Sequence, residues 1–320
     1  MNKQCTPCQG CGAKAVRKMF NLGMVPSVNT YYPPDKVSHE RPSMLDVAWC
    51  TKCSLVQLGT IVPPAELFNQ YQHLSSASQS NSRHLQELAD TLKQRLTINQ
   101  KTKILDVGSN DGTLLAQFRP TTTQVLGVDP AENLVPYARA KGVKQIAAFL
   151  TENMARDIMK AHGVYDLVLA VNVVAHTPDV RTLLRAIRAV LGPPGTFVME
   201  AVYVFSTILK GEFDTIYHEH VYCFSLTALV PLFAQAGLTI VAVEEIQTQG
   251  GSVRVYARRS EHQPVVAPSV PALLAKEEAL GVWLPETYNR VGRKVEAFKR
   301  QLRQNLIDLK KKHGHVIGLG

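Results

Sequence analysis

The sequence predicts an α/β protein: an open, largely parallel sheet covered by helices, with a small cysteine-rich module in front and an incomplete further domain behind. Three observations carry this reading. From Lys103 onward, short apolar runs alternate with helix-like segments, as parallel strands joined by crossover helices require. Five of the six cysteines fall within the first 53 positions, in paired spacings, which suits a metal site better than a disulfide framework. The chain stops at His315 to Gly320, HVIGLG, and a strand running into Gly-x-Gly is how a nucleotide-binding βα unit begins. A C-terminal Rossmann-like domain is therefore expected to be cut off at Gly320.

With 320 residues, 45% hydrophobic and 19% charged, the chain is long enough for two or three domains with cores of their own. No apolar run approaches the roughly 20 residues of a membrane span, and the N-terminus is polar where a secretory signal would be apolar. A cytoplasmic location and no membrane partner are expected. The net charge of +9 raises the possibility of nucleic acid, but much of the surplus sits between Arg290 and Lys312, where helical periodicity points to a solvated face. No nucleic-acid partner is expected, and nothing in the residues fixes an oligomeric state.

Taken in order, residues 1–68 form the metal module, closed by Val62-Pro63-Pro64. Ala65 to Leu96 carries helix formers with apolar residues at helical spacing. Residues 69–262 form the sheet domain. Its strands are Ile104 to Val107, Val125 to Val128, Leu167 to Val171 and Thr196 to Met199, followed by a helix near Leu226 to Ala236 and a final pair, Leu238 to Val243 and Ser252 to Ala257. Residues 263–320 hold a Pro-rich linker, Pro264 to Pro271, a long amphipathic helix from about Glu286 to Lys312, and the start of the further domain.

Cys8-x-x-Cys11 and Cys50-x-x-Cys53 are two knuckles, each able to offer two thiolates to one tetrahedral ion. Zinc is the expected metal, with Cys5 as a spare or competing ligand.

The second motif is ILDVGSNDG, from Ile104 to Gly112. Gly108 lets the backbone approach a ligand closely, with Ser109, Asn110 and Gly112 completing the turn. Asp106 or Asp111 can hold the ammonium end of a cationic amino acid. Asp129-Pro130 ends the next strand about 20 positions later, where an acid suits ribose hydroxyls. Gly-x-Gly-x-x-Gly is absent, so a nucleoside without phosphates is favoured over a dinucleotide. Asn172 and His176 fall at the carboxyl edge of the sheet, where open α/β folds bind ligands.

The third motif, EFDTIYHEHVYCFS from Glu212 to Ser225, concentrates two histidines, a carboxylate and two tyrosines. Its HEH core lacks the i, i+4 pair of a zinc-protease helix, so a second metal is not favoured. The alternative is a metal-free polar turn or an adventitious metal site. Chemically the cluster suits proton removal next to a carbonyl: a neutral imidazole as base, a carboxylate setting its tautomer, and a Tyr or second His donating to the forming enolate.

The motif from Ile104 to Asp129 resembles the class I S-adenosylmethionine-dependent methyltransferases, which implies that cofactor, with Asp129 on its ribose and Asn172 facing the methionine part. The stretches CxxCG, CxxCxLVQL, LFNQYxxxSSxSxSxxRH, ILDVGSNDGTLL, VNVVAHTPD, EFDTIYHEHVYCFSL and GGSVRVYARR resemble, in order, the sugar C-methyltransferases that act on nucleoside-diphosphate 4-keto-deoxysugars. That resemblance implies His220 as the base removing the C3 proton, Glu219, Tyr217 and His176 around the sugar and its keto oxygen, and Ser75 and Ser76 beside the cofactor. Where the family commonly has Tyr-x-Tyr, this chain has Tyr71-Gln-His73, so His73 stands in for a tyrosine of the site. Two other readings stay open: an rRNA-type methyltransferase with a zinc ribbon, and a truncated, non-catalytic cofactor-binding protein.

Overall fold

The computed structural model describes residues 7–29, 35, 40–206 and 211–317. In chain order its strands are β1 (Val16–Val25), β2 (Ser43–Cys50), β3 (Val56–Leu58), β4 (Ile104–Val107), β5 (Val125–Asp129), β6 (Lys144–Ala147), β7 (Tyr165–Val171), β8 (Leu191–Val202), β9 (Tyr222–Cys223), β10 (Leu238–Ile246) and β11 (Ser252–Arg259).

Seven of them form the main sheet, in the order β10-β11-β8-β7-β4-β5-β6. β6, β5, β4, β7 and β8 run parallel, and β11 pairs antiparallel with both β8 and β10. This is the Rossmann-like arrangement of class I methyltransferases, ending on the antiparallel pair expected from the sequence. The strand order reverses beside β4, and the carboxyl ends of β4, β5 and β7 open there into a crevice, the usual ligand position in such sheets.

Side chains alternate across the sheet, so both of its faces need cover. Leu167 and Leu169 of β7 join one apolar cluster with the helix Gln79–Arg95, while Val168 and Ala170 join the other, with the helices Glu152–His162 and Val180–Val190. That second cluster also takes in Cys8, Trp49 and Val56 of the N-terminal module.

The N-terminal module is a four-stranded antiparallel sheet, β1-β2-β3-β9. Its last strand comes from far along the chain: Val56 faces Cys223 and Gln57 faces Tyr222. The long helix Pro285–His313 lies across β1. A side chain at Gly292 would stand 2.3 Å from the Met19 carbonyl oxygen, so glycine is what admits the helix to that distance. Tyr288 stacks on Trp49 with centroids 4.2 Å apart.

Three expectations change. Ala65 to Leu96 is not one helix: Pro64–Phe68 and Gln79–Arg95 are separated by a loop and a short turn, because the Ser78 hydroxyl accepts from the Asn81 N–H and starts the second helix afresh. The Pro-rich linker is partly helical, Ser269–Ala279. His315 to Ile317 form no strand, while Gly318 to Gly320 and Cys5 lie outside the described residues. No helix among the described residues is long and apolar enough to cross a membrane.

Candidate functional site

A cavity of about 790 Å³ opens at the carboxyl edge of the main sheet. Of the predicted site residues, Ser75, Asp106, Gly108, Ser109, Asn110, Asp129, Pro130, Asn172, His176, Tyr217 and His220 line it. The glycine turn and the YHEH segment, about 110 positions apart in sequence, thus share one space.

One end of the cavity is built by the turn after β4. Gly108 has φ +71°, and a Cβ there would meet Val173 at 2.1 Å. Asn110 (φ 49°) and Asn172 (φ 56°) are also left-handed, a conformation Asn tolerates better than most residues and one that clusters at ligand sites. Asp129 receives the Asn110 N–H at 2.9 Å on one oxygen and the Ala131 N–H at 2.9 Å on the other. Asp106 has no such support, and burial, with Asp129 nearby as a second cause, pushes its carboxyl well above the usual range. A buried acid facing a cavity without a countercharge fits a cationic ligand.

A loop roofs this end. Asn110 accepts from the Ser75 N–H at 2.9 Å and donates to the His73 carbonyl at 2.9 Å, and Asn133 exchanges two hydrogen bonds with the Tyr71 backbone.

Asp111, Gly112 and Ser76 stand outside the cavity. Burial alone would raise the Asp111 carboxyl, but hydrogen bonds from Ser76, Thr113 and Lys141 hold it below its ordinary value. Its oxygens are thereby occupied, and Ser76 serves it through the backbone, so an ammonium would meet Asp106 instead. Gly112 (φ +75°) packs against Ala138 and caps the helical turn Thr113–Ala116.

At the other end, His220 is buried, and burial holds its imidazole below the ordinary value. Its Nδ1 lies 2.6 Å from the Thr215 carbonyl, which can only accept, so Nδ1 carries the proton. Nε2 then keeps its lone pair and accepts from the Tyr217 hydroxyl at 3.2 Å. The tautomer is set by a backbone carbonyl, not by the carboxylate expected from the sequence.

Glu219 sits behind this pair rather than on the cavity wall. It accepts from Asn29 at 2.7 Å and from the Tyr71 hydroxyl at 3.1 Å. Burial raises its carboxyl despite those bonds. His176 stacks on Phe68 and stands 5.0 Å from the His220 ring. Its Nε2 has no hydrogen-bond partner, and burial first, His220 second, drives it down to about 3. Tyr71 and His73 both line the cavity, so the departure from Tyr-x-Tyr leaves one tyrosine in contact with Glu219.

Sequence reasoning missed Asn29, Thr215 and a buried ion-pair chain beneath the cavity. Glu200 joins His84 at 2.6 Å and Arg254 at 2.6 Å, and Arg254 continues to Glu244 at 3.1 Å. The Glu200 carbonyl accepts from the Asn172 N–H. Nothing local in the sequence signals this chain, since its members are spread from position 84 to 254.

The four cysteines converge. A zinc ion about 2.3 Å from each sulfur in tetrahedral geometry spaces the sulfurs about 3.8 Å apart. Cys8 and Cys53 are 3.5 Å apart, Cys11 and Cys50 3.6 Å, and all four sulfurs lie within 4.8 Å of one another. The donor set fits zinc.

Family models match in three blocks: a zinc binding domain at residues 8–68, a methyltransferase domain at 81–243 and a C-methyltransferase C-terminal domain at 247–320. The C-methyltransferase NovU of Streptomyces niveus is 33% identical over 298 residues, which is 93% of this chain and 71% of that protein. The chain belongs to the C-methyltransferases. It is an S-adenosylmethionine-dependent enzyme with a zinc-binding N-terminal domain. The ubiquinone biosynthesis O-methyltransferase of Rhodopseudomonas palustris (strain BisA53) is 28% identical to this C-methyltransferase over 97 residues, 30% of the chain and 38% of that protein. Among solved structures, the magnesium protoporphyrin IX methyltransferase of Synechocystis PCC 6803 with bound SAH gives a TM-score of 0.44 at 16% identity, over 56% of this chain and 83% of that one. A protein of Pyrococcus horikoshii OT3 gives 0.45 at 16% identity, over 62% and 97%. Likenesses this distant say nothing of substrate.

Proposed function

We propose that this C-methyltransferase acts on a nucleotide-linked 4-keto-deoxysugar, with His220 as the base that removes the proton from the carbon beside the ketone. The observation that carries this is the His220 ring, held neutral by burial with an unprotonated Nε2 that meets only the Tyr217 hydroxyl, in the cavity that the glycine turn also lines. The sugar class rests on the resemblance of the ordered motifs to the sugar C-methyltransferases.

When bound, S-adenosylmethionine supplies an electrophilic methyl group. Asp106, Gly108, Asn110, Asp129 and Asn172 are the residues that would hold it. The C–H bond breaks as Nε2 of His220 takes the proton, and its electron pair passes into the substrate's enolate, whose carbon is the nucleophile. The Tyr217 hydroxyl, already on Nε2, is placed to turn toward the enolate oxygen, and His176, uncharged at neutral pH, keeps the pocket free of a competing cation. Tyr71 and Asn29 fix Glu219, which borders Tyr217.

The test is deuterium uptake from heavy water into a nucleoside-diphosphate 4-keto-deoxysugar, without methyl donor. The full chain is expected to exchange the proton next to the ketone, and His220→Ala to lose that exchange while still binding S-adenosylhomocysteine. Undiminished exchange in His220→Ala would remove His220 from the role.

A further inference from the structure

We propose that the zinc knuckles position the base: the strand they clamp, β3, pairs with the residues that directly follow YHEH, so metal occupancy sets where His220 stands. This rests on the reading of His220 as base.

Immediately after His220 the chain leaves the methyltransferase half. Val221 accepts from the Leu58 N–H at 2.9 Å, and Tyr222 and Cys223 pair with Gln57 and Val56 as the outer strand of the N-terminal sheet. β3 is therefore the template on which the base-bearing segment is laid. A two-residue strand has almost no register information of its own.

Both knuckles grip β3. In the second, the Ser54 N–H donates to the Cys50 carbonyl at 2.8 Å and the Cys50 N–H to the Leu55 carbonyl at 2.9 Å, which launches β3 three residues after Cys53. In the first, the Gln9 N–H donates to the Gln57 side chain at 3.0 Å, and Gln57 is the residue that faces Tyr222. The Ser54 hydroxyl also meets that of Ser225 at 3.3 Å, both wholly buried, at the far end of the same segment. Ser225 in turn caps the helix Leu226–Gln235 by accepting from the Ala228 N–H at 3.0 Å.

The segment that follows the base is thus held at both ends by the metal module, Leu58 to Val221 and Ser54 to Ser225. Without an ion, four sulfurs this close lose what gathers them, both turns relax, and β3 loses its anchors at each end. Misplacing a catalytic group by 1 Å costs on the order of 100-fold in rate. The cofactor residues on β4, β5 and β7 have no bond to the knuckles and are expected to keep their places.

Hydrogen–deuterium exchange mass spectrometry of the full chain, zinc-loaded and after chelation, tests this directly. Amides of 217–225 and 54–58 are expected to exchange at least about tenfold faster without metal, and those of 104–129 to be unchanged. Unchanged protection at 217–225 overturns the proposal. So does equal loss at 104–129, which would make zinc a support of the whole chain. A second variant leaves the ligands alone: Ser54→Ala should keep its zinc and its affinity for S-adenosylhomocysteine, yet deprotonate the keto-sugar about tenfold more slowly. A normal rate in Ser54→Ala, or a parallel loss of cofactor affinity, counts against it. Amide exchange reads the strand coupling whether or not His220 is the base, and deuterium uptake by the substrate reads the base alone.

Discussion

Replacing Gly108 by alanine applies two separable insults to the cofactor end of the cavity. The left-handed backbone (φ +71°) costs a residue with a Cβ about 1–2 kcal/mol. The new methyl would also stand 2.1 Å from Cγ2 of Val173, so Val173 must retreat by more than about 1 Å; overpacking of that kind costs about 1–3 kcal/mol. The sum is about 3 kcal/mol of stability, a fall in Tm of roughly 6 °C for a chain of this size. Because Val173 lines the cavity beside Asn172, its displacement should also weaken S-adenosylhomocysteine binding, by about tenfold for each 1.4 kcal/mol. Gly142→Ala is the matched control, with φ +74° and only the Arg119 side chain nearby, at 3.4 Å. It should pay the backbone cost and leave affinity alone. Calorimetry and thermal unfolding of both variants decide the matter: equal affinity losses, or none in Gly108→Ala, would refute the close-approach role of Gly108.

Acid should destabilise the enzyme through its buried histidines. The folded state keeps His176 and His220 neutral below the pH near 6.5 at which the unfolded chain takes up protons. Their contribution is therefore complete above pH 6.5 and is lost as pH falls, by about 1.4 kcal/mol per unit for each histidine that stays neutral, with His176 following down to about pH 3. Urea midpoints measured from pH 7.5 to 5 should show this slope in the full chain and a shallower one in His176→Gln; identical slopes would contradict it. Glu200→Gln removes the charge between His84 and Arg254 from a wholly buried position. It should cost about 3 kcal/mol and roughly 6 °C in Tm, and a shift under about 2 °C would mean that Glu244 alone suffices for Arg254.

The central strands were legible because each contains a short, largely buried apolar run, and β4, β5 and β7 meet Gly108, Asp129 and Asn172 where the ligand edge begins. β6 was missed because KQIA, an outer strand with exposed ends, has the composition of a loop. The N-terminal strands escaped for a different reason: β1 is bulged twice against β2, which breaks the alternation that marks a strand. β9 has no local signal at all, being two residues whose partner lies some 165 positions upstream. At the site, residue types announced His220 and Tyr217, and the glycine turn announced Gly108 and Asp129. What the sequence could not show is which group each side chain would reach. Asp111 reads as a cofactor acid but turns to Thr113 and Lys141, and Glu219 reads as the partner of His220 but is engaged by Asn29 and Tyr71.

With Asp106 as the acid that meets the cofactor's positive end, as proposed, binding is expected to be coupled to a proton. Burial raises that carboxyl in the open cavity and a positive ligand beside it would lower it, so binding is expected to release hydrogen ions. Heats of association measured in two buffers of different ionisation enthalpy should then disagree, and Asp106→Asn should bring them together. Cells that acidify would loosen the grip without any change in the amount of cofactor.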